Sequence, residues 1–144
     1  MIVKPDAVQR GLVGELISRL EHRGLQIAAL KLMRIDEQTA NTHYGEHVGK
    51  PFFAGLVSFI TSAPVVVAVF EGPNAQAIVR KAMGVTNPVN AEPGTIRGDL
   101  AVDLGRNVIH GSDSPESAER EIGIFFKPEE IVSYSRDVQR WIVE

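Results

Sequence analysis

Pro64-Val65-Val66-Val67-Ala68-Val69-Phe70 is the stretch on which the fold turns. Its β-branched residues favour extended backbone, and its length suits a strand better than a helix. No polar residue alternates along it, so it reads as a central strand buried on both faces. The apolar run Val65 to Phe70 is also the longest in the chain. It is far short of the roughly 20 residues that span a bilayer, and no targeting or membrane segment is visible.

Upstream, Phe53 to Ile60 suits a short helix entered after the break at Pro51. Asp36 is a plausible N-cap for a helix reaching about His47, and Leu25 to Ile35 reads as a second strand. Earlier still, Leu12, Val13, Leu16, Ile17 and Leu20 share one helical face that ends near Gly24. Met1 to Lys4 is a short strand cut off by Pro5.

Downstream, Asn74 is placed to cap a helix running to Met83, with Gly84 at its end. Val85 to Gly98 holds two prolines, two asparagines and two glycines and reads as a long ordered loop, a feature that is usually functional in a compact domain. Asn107 to His110 is a short strand. Ser114 and Pro115 occupy the N-cap and first position of the next helix, with Glu116 adding a carboxylate to its first turn. Phe125-Phe126 leads to Pro128 and a last short helix. This order suits an α+β sandwich of the split βαβ kind, with helices on one face of an antiparallel sheet. Periodicity leaves the strand order open.

The 144 residues predict one domain, 1–144. A hydrophobic fraction of 44% supports a core, and 23% charged residues exclude a fibrous or disordered chain. The formal net charge of −3 argues against a general nucleic-acid binder, so a polyanionic ligand must meet a local cluster of cations. Zero cysteines exclude disulfide scaffolds, thiolate zinc sites and cysteine nucleophiles, and fit an intracellular, cytoplasmic location.

Neither GxxxxGK[ST] nor GxGxxG occurs, which disfavours P-loop and Rossmann enzymes. Instead Asn107-Val108-Ile109-His110-Gly111-Ser112-Asp113 places one histidine among glycine and small polar residues, just before a helix bearing Glu121. A neutral imidazole is a good nucleophile near pH 7, and a carboxylate can fix its tautomer. The residues alone leave His110 open between nucleophile, acid/base and solvated loop histidine. Lys4, Arg80 and Arg97 can converge on phosphates or stand as ordinary surface cations. His43-Tyr44-Gly45-Glu46-His47 matches the inverted zincin pattern, which sets two imidazoles on one helix face. Against zinc stand Gly45 within the helix and the lack of a placed third ligand. Of Phe52 and Phe53, one or both fill the core, while an exposed one can stack on a base.

Taken together, the chain resembles the nucleoside diphosphate kinase family. The resemblance runs through Lys4-Pro5-Asp6, Val8-Gln9-Arg10-Gly11, Pro51-Phe52-Phe53, Thr86-Asn87-Pro88, Pro93-Gly94-Thr95-Ile96-Arg97-Gly98-Asp99 and the 107–113 segment. It implies a ferredoxin-like α/β sandwich, a four-stranded antiparallel sheet with helices packed on it. It also implies ping-pong transfer of a γ-phosphoryl group from a nucleoside triphosphate to a nucleoside diphosphate, through a phosphohistidine at His110. By the same resemblance Lys4, Tyr44, Arg80, Thr86, Arg97 and Asn107 contact phosphate, ribose or the active centre. Phe52 and Leu56 line the base site, and Ser112 and Glu121 support the histidine. Tyr44 then explains the His43–His47 segment better than zinc does.

The resemblance further implies Mg²⁺ held mainly by the nucleotide phosphates, with no protein metal cage and Asp113 reaching the ion only through water. Base stacking implies broad nucleotide specificity, with ribose and deoxyribose both accepted. The implied partners are nucleoside di- and triphosphates and further copies of the chain, as a homohexamer or alternatively a homotetramer, and neither membrane nor nucleic acid. Pro88 and Ile142-Val143-Glu144 are the expected oligomer contacts. Two departures stand out. Ala7 replaces a common glycine and strains its turn if φ there is positive. The first strand starts late, which is expected to weaken edge pairing and thermal stability more than chemistry.

Overall fold

The computed structural model describes residues 1–144. Four strands, β1 (Ile2–Val3), β2 (Gln26–Met33), β3 (Val65–Glu71) and β4 (Ile109–His110), form one antiparallel sheet in the order β2-β3-β1-β4. Seven helices complete the fold: α1 (Pro5–Gln9), α2 (Val13–His22), α3 (Glu37–His43), α4 (Phe53–Thr61), α5 (Ala75–Met83), α6 (Ile96–Leu100) and α7 (Pro115–Phe125). This is the α+β sandwich expected from the sequence, with the 65–70 run in an interior strand.

Helices cover the sheet on both faces, which agrees with the 65–70 strand read as buried on both sides and corrects the expectation of helices on one face only. Val66 and Val3 point into a cluster with Leu16, Leu20, Val79 and Met83 from α2 and α5. Val65, Val67 and Ile2 point the other way, toward Ala40, Ile60 and Phe125 from α3, α4 and α7. Successive strand residues alternate faces, so an all-apolar β3 must find partners on each side. Val65 and Val67 are almost fully buried, and each such side chain contributes about 1.5–3 kcal/mol.

β1 has only two residues, but it is not an edge. It pairs with β3 through Ile2↔Val67 and with β4 through Ile2↔His110. That register turns His110 toward the face carrying α3, α4 and α7. Ala7 is fully buried inside α1, and its φ is not positive. The anticipated turn strain is therefore absent, because the segment after Pro5 is helical.

The local stop and start signals mostly act as read. Asp36 accepts the Thr39 amide at 2.7 Å, and Ser114 caps α7 through the Ser117 amide. The helix after Asp36 ends at His43 and gives way to a 3₁₀ turn at Gly45–His47. Asn74 stands at the start of α5 but makes no side-chain cap, its own φ being 54°. The expected loop 85–98 contains a 3₁₀ turn, Pro88–Asn90, and the start of α6. No helix is long and apolar enough to cross a membrane.

Candidate active site

His110 ends β4 and lines a cleft of about 680 Å³ with Lys4, Tyr44, Phe52, Leu56, Thr86, Arg97 and Asn107. The residue is aimed by a backbone device just before it. Val108 has φ 62°, and the Ile109 amide donates to Asn107 O at 2.7 Å across it. A two-residue hydrogen bond around a left-handed residue is the strained γ-turn, which a β-branched side chain adopts only under constraint. The constraint comes from the N-terminal segment. Lys4 N donates to Val108 O, and Val108 N donates to the Asp6 carboxylate, both at 3.0 Å.

Behind the ring, Glu121 on α7 accepts from two groups on one oxygen. His110 Nε2 and Ser112 Oγ each lie 2.8 Å from Oε2. Burial pushes the Glu121 carboxyl up, but the His110 hydrogen bond and charge, with the Ser112 bond, outweigh it and hold the group well below the usual carboxylate range. The carboxylate fixes Nε2 as the protonated nitrogen. Nδ1 is the ring nitrogen left free of that contact, on a residue that lines the cleft.

The cations are less ordinary than the sequence suggests. Lys4 and Arg97 are 7% and 4% exposed. Lys4 Nζ donates to Asn107 Oδ1 at 2.7 Å, and Asn107 Nδ2 donates to Thr86 O at 2.9 Å. Burial pulls the Lys4 ammonium down to about 8; Asp6 opposes this, while Arg97 and Arg106 act with it. Arg97 donates to the carbonyls of Asn107, Gly84 and Ile109, so it braces the loop against β4. Its guanidinium is lowered to about 10, chiefly by burial and then by Arg80. Tyr44 is pushed up to about 12 by burial and Glu121, which keeps its hydroxyl a donor.

Arg80 does not line this cleft. It donates to Gly111 O at 3.3 Å and borders a second hollow between α2, α5 and the 84–99 segment. Ser112 and Glu121 likewise lie behind His110 rather than in the cleft. Gly111 admits α5 at this point, since a Cβ there would collide with Met83 Sδ. Phe52 is 53% exposed at the cleft mouth with Leu104, also exposed, on the lining, whereas Phe53 packs partly into the core.

Three contributors escaped the sequence reading. Asp6 holds the γ-turn. Arg106 lies 4.0 Å over the Phe59 ring, which also faces Lys4 Nζ at 5.1 Å. Phe59 and Arg106 both line the cleft. Phe59 and Arg106 stand 47 positions apart, which leaves no local motif, so only the fold shows the pairing.

The family model described as nucleoside diphosphate kinase matches residues 1–131. The chain belongs to the nucleoside diphosphate kinase family. It is 64% identical over 143 residues to the nucleoside diphosphate kinase of Thermomicrobium roseum, covering 99% of this chain and 96% of that one. The Carboxydothermus hydrogenoformans nucleoside diphosphate kinase is 62% identical, at 100% and 97% coverage. Among solved structures, a halophilic nucleoside diphosphate kinase from Halobacterium salinarum in complex with CDP superposes with a TM-score of 0.96 at 54% identity, covering 99% of this chain and 95% of that one. A Babesia bovis nucleoside diphosphate kinase family protein does so with the same score at 44% identity, at 99% and 96% coverage.

Membership in the nucleoside diphosphate kinase family makes the chain a phosphotransferase acting on nucleotides. It also replaces the zincin reading. His47 leaves the helix that carries His43, and its ring lies 3.0 Å from Lys50 Nζ and beside Phe52. The two histidines of the motif do not share a helix face.

Proposed function

We propose that His110 Nδ1 is the nucleophile of a ping-pong nucleoside diphosphate kinase reaction. One observation carries this: Glu121 engages Nε2 at 2.8 Å, which leaves the other nitrogen free on a residue lining a cleft walled by Lys4, Arg97 and Arg106. The Nδ1 lone pair attacks the γ-phosphorus, a P–N bond forms, and the bond to the leaving diphosphate oxygen breaks. Glu121 stabilises the positive charge that develops on the ring. Lys4 and Arg97 face the negative charge on the phosphoryl oxygens. In the second half-reaction a terminal oxygen of the acceptor diphosphate attacks phosphorus, and the P–N bond breaks.

None of the sixteen cleft-lining residues is a carboxylate. That donor set suits Mg²⁺ held by nucleotide phosphates and not by a protein cage. When bound, the ion neutralises phosphate charge. Asp113 is exposed, without a side-chain contact to the cleft, in keeping with at most a water-mediated role. Tyr44, Thr86, Asn107 and, across Gly111, Arg80 position phosphate and ribose. Phe52 and Leu56 offer the base a stacking surface with few edge-reading groups, which supports broad nucleotide specificity.

A homohexamer, or alternatively a homotetramer, is supported by the apolar residues left outside: Leu30 and Leu32 on β2, and Val85 and Val89 in the loop. Pro88 itself is buried in its own chain, so its exposed neighbour Val89 is the better contact. The cysteine-free composition supports a cytoplasmic location.

The test is single-turnover incubation of wild type and His110→Ala with γ-labelled ATP and Mg²⁺, followed by GDP. Acid-labile, base-stable label on wild type alone, chased into GTP, is the expected result. Label retained by His110→Ala, or none on wild type that binds nucleotide, rejects the assignment.

A further inference from the structure

His43 is 3% exposed, and neither of its ring nitrogens has a hydrogen-bond partner. Its ring sits edge-on to His110, with centroids 4.7 Å apart and planes at 84°. One donor atom from each of His43, His110 and Glu121 falls within 4.8 Å of the other two. A phenyl ring would fill the same apolar surroundings, Tyr44 and Phe125, without orphaning two polar atoms. The unused lone pair therefore points to a ligand.

We propose that His43, His110 and Glu121 form a latent site for a borderline transition-metal cation of the Zn²⁺ class, and that occupation of this site silences the nucleophile. The proposal rests on His110 Nδ1 being the phosphoryl acceptor. Two imidazoles and a carboxylate are a zinc donor set, with bonds of about 2.0–2.2 Å. Mg²⁺ prefers an octahedron of oxygens and does not compete for imidazole. The trio need only close around the ion, as Nε2 and the Glu121 carboxylate already touch. One position stays with water.

The silencing follows from the tautomer. An imidazole that gives its Nε2 lone pair to a metal keeps its proton on Nδ1. The Nε2 proton moves to Nδ1, Glu121 stays a carboxylate, His43 stays neutral, and no electron changes hands. Nδ1 then has no lone pair for phosphorus. The arrangement differs from the zincin pattern, since Glu46 and His47 lie outside it.

The experiment titrates metal-free wild type with Zn²⁺ against a chromophoric chelator, without nucleotide. The zinc-loaded protein is then treated with phosphoramidate, a phosphoryl donor that binds metal weakly, and phosphohistidine is counted. One tight zinc per chain is expected, weakened at least roughly tenfold in His43→Phe and in Glu121→Gln but kept in His47→Ala. Zinc-loaded wild type should be phosphorylated at least about tenfold more slowly, with the rate restored by EDTA, and His43→Phe should be insensitive. His43→Gln serves if the Phe variant fails to fold. Unchanged zinc affinity in the His43 variant overturns the proposal, as does bound zinc that leaves the phosphorylation rate intact. If metal-free wild type takes no label at His110, the phosphotransfer reading fails instead, and the titration still decides the metal site.

Discussion

Glu121 concentrates two side-chain contacts on one oxygen, which accepts from both His110 and Ser112. Glutamine keeps the shape but offers no charge to balance the ring as it becomes cationic. Glu121→Gln should therefore slow phosphohistidine formation by about 10²-fold, read as the single-turnover rate with labelled ATP. Ser112→Ala removes only one donor and leaves the charge, so its loss should be smaller. Equal losses in the two variants would mean that the Ser112 hydrogen bond matters as much as the Glu121 charge, against a leading role for that charge. The pairing of His110 with Glu121 was legible in the sequence because only eleven positions separate them, whereas Ser112 entered through the family resemblance. Asp6 was not legible, since its partner Val108 is 102 residues away.

At the scale of elements, the site hangs on two braces of β4. The first is the γ-turn at Val108, which contradicts the residue's own preference and so could not be read from propensity. Strain of this kind costs on the order of 1–3 kcal/mol and persists only while its surroundings enforce it. Asp6→Ala removes the carboxylate that takes the Val108 amide. It should destabilise the protein by about 1–3 kcal/mol in urea unfolding and lower kcat through misaimed His110, with nucleotide KM less affected. A variant with full kcat would mean that the turn holds without Asp6. The second brace is Arg97, with three backbone carbonyls as acceptors. Lysine retains the charge but not the planar fork. Arg97→Lys should therefore cost about 1–3 kcal/mol of stability in addition to activity, a dual loss that a purely substrate-binding arginine would not show.

Across the whole molecule, burial was easier to read than its cause. The apolar run of β3 announced a strand covered twice, yet the helices that cover it come from segments far apart in sequence, so the second layer went unforeseen. Hydropathy likewise said nothing of Lys4, His43 and Arg97, polar residues that the fold buries against the trend of their type. That burial has a consequence for acid stability. His43 is held down to about 4, first by burial and then by the charge of His110, with Glu121 opposing and Arg120 adding to the depression. Its proton is thus bound more weakly in the native protein than in the unfolded chain, whose value is 6.5. Stability from this group is complete above pH 6.5 and is lost as pH falls toward 4, by roughly 3 kcal/mol. Glu121 then adds a second loss between its ordinary 4.5 and about 2. Urea midpoints measured from pH 7 to 4 should fall for wild type and fall much less for His43→Phe, which has nothing to protonate there. Parallel slopes for the two proteins would mean that His43 titrates alike in both states, and that its burial is relieved by water.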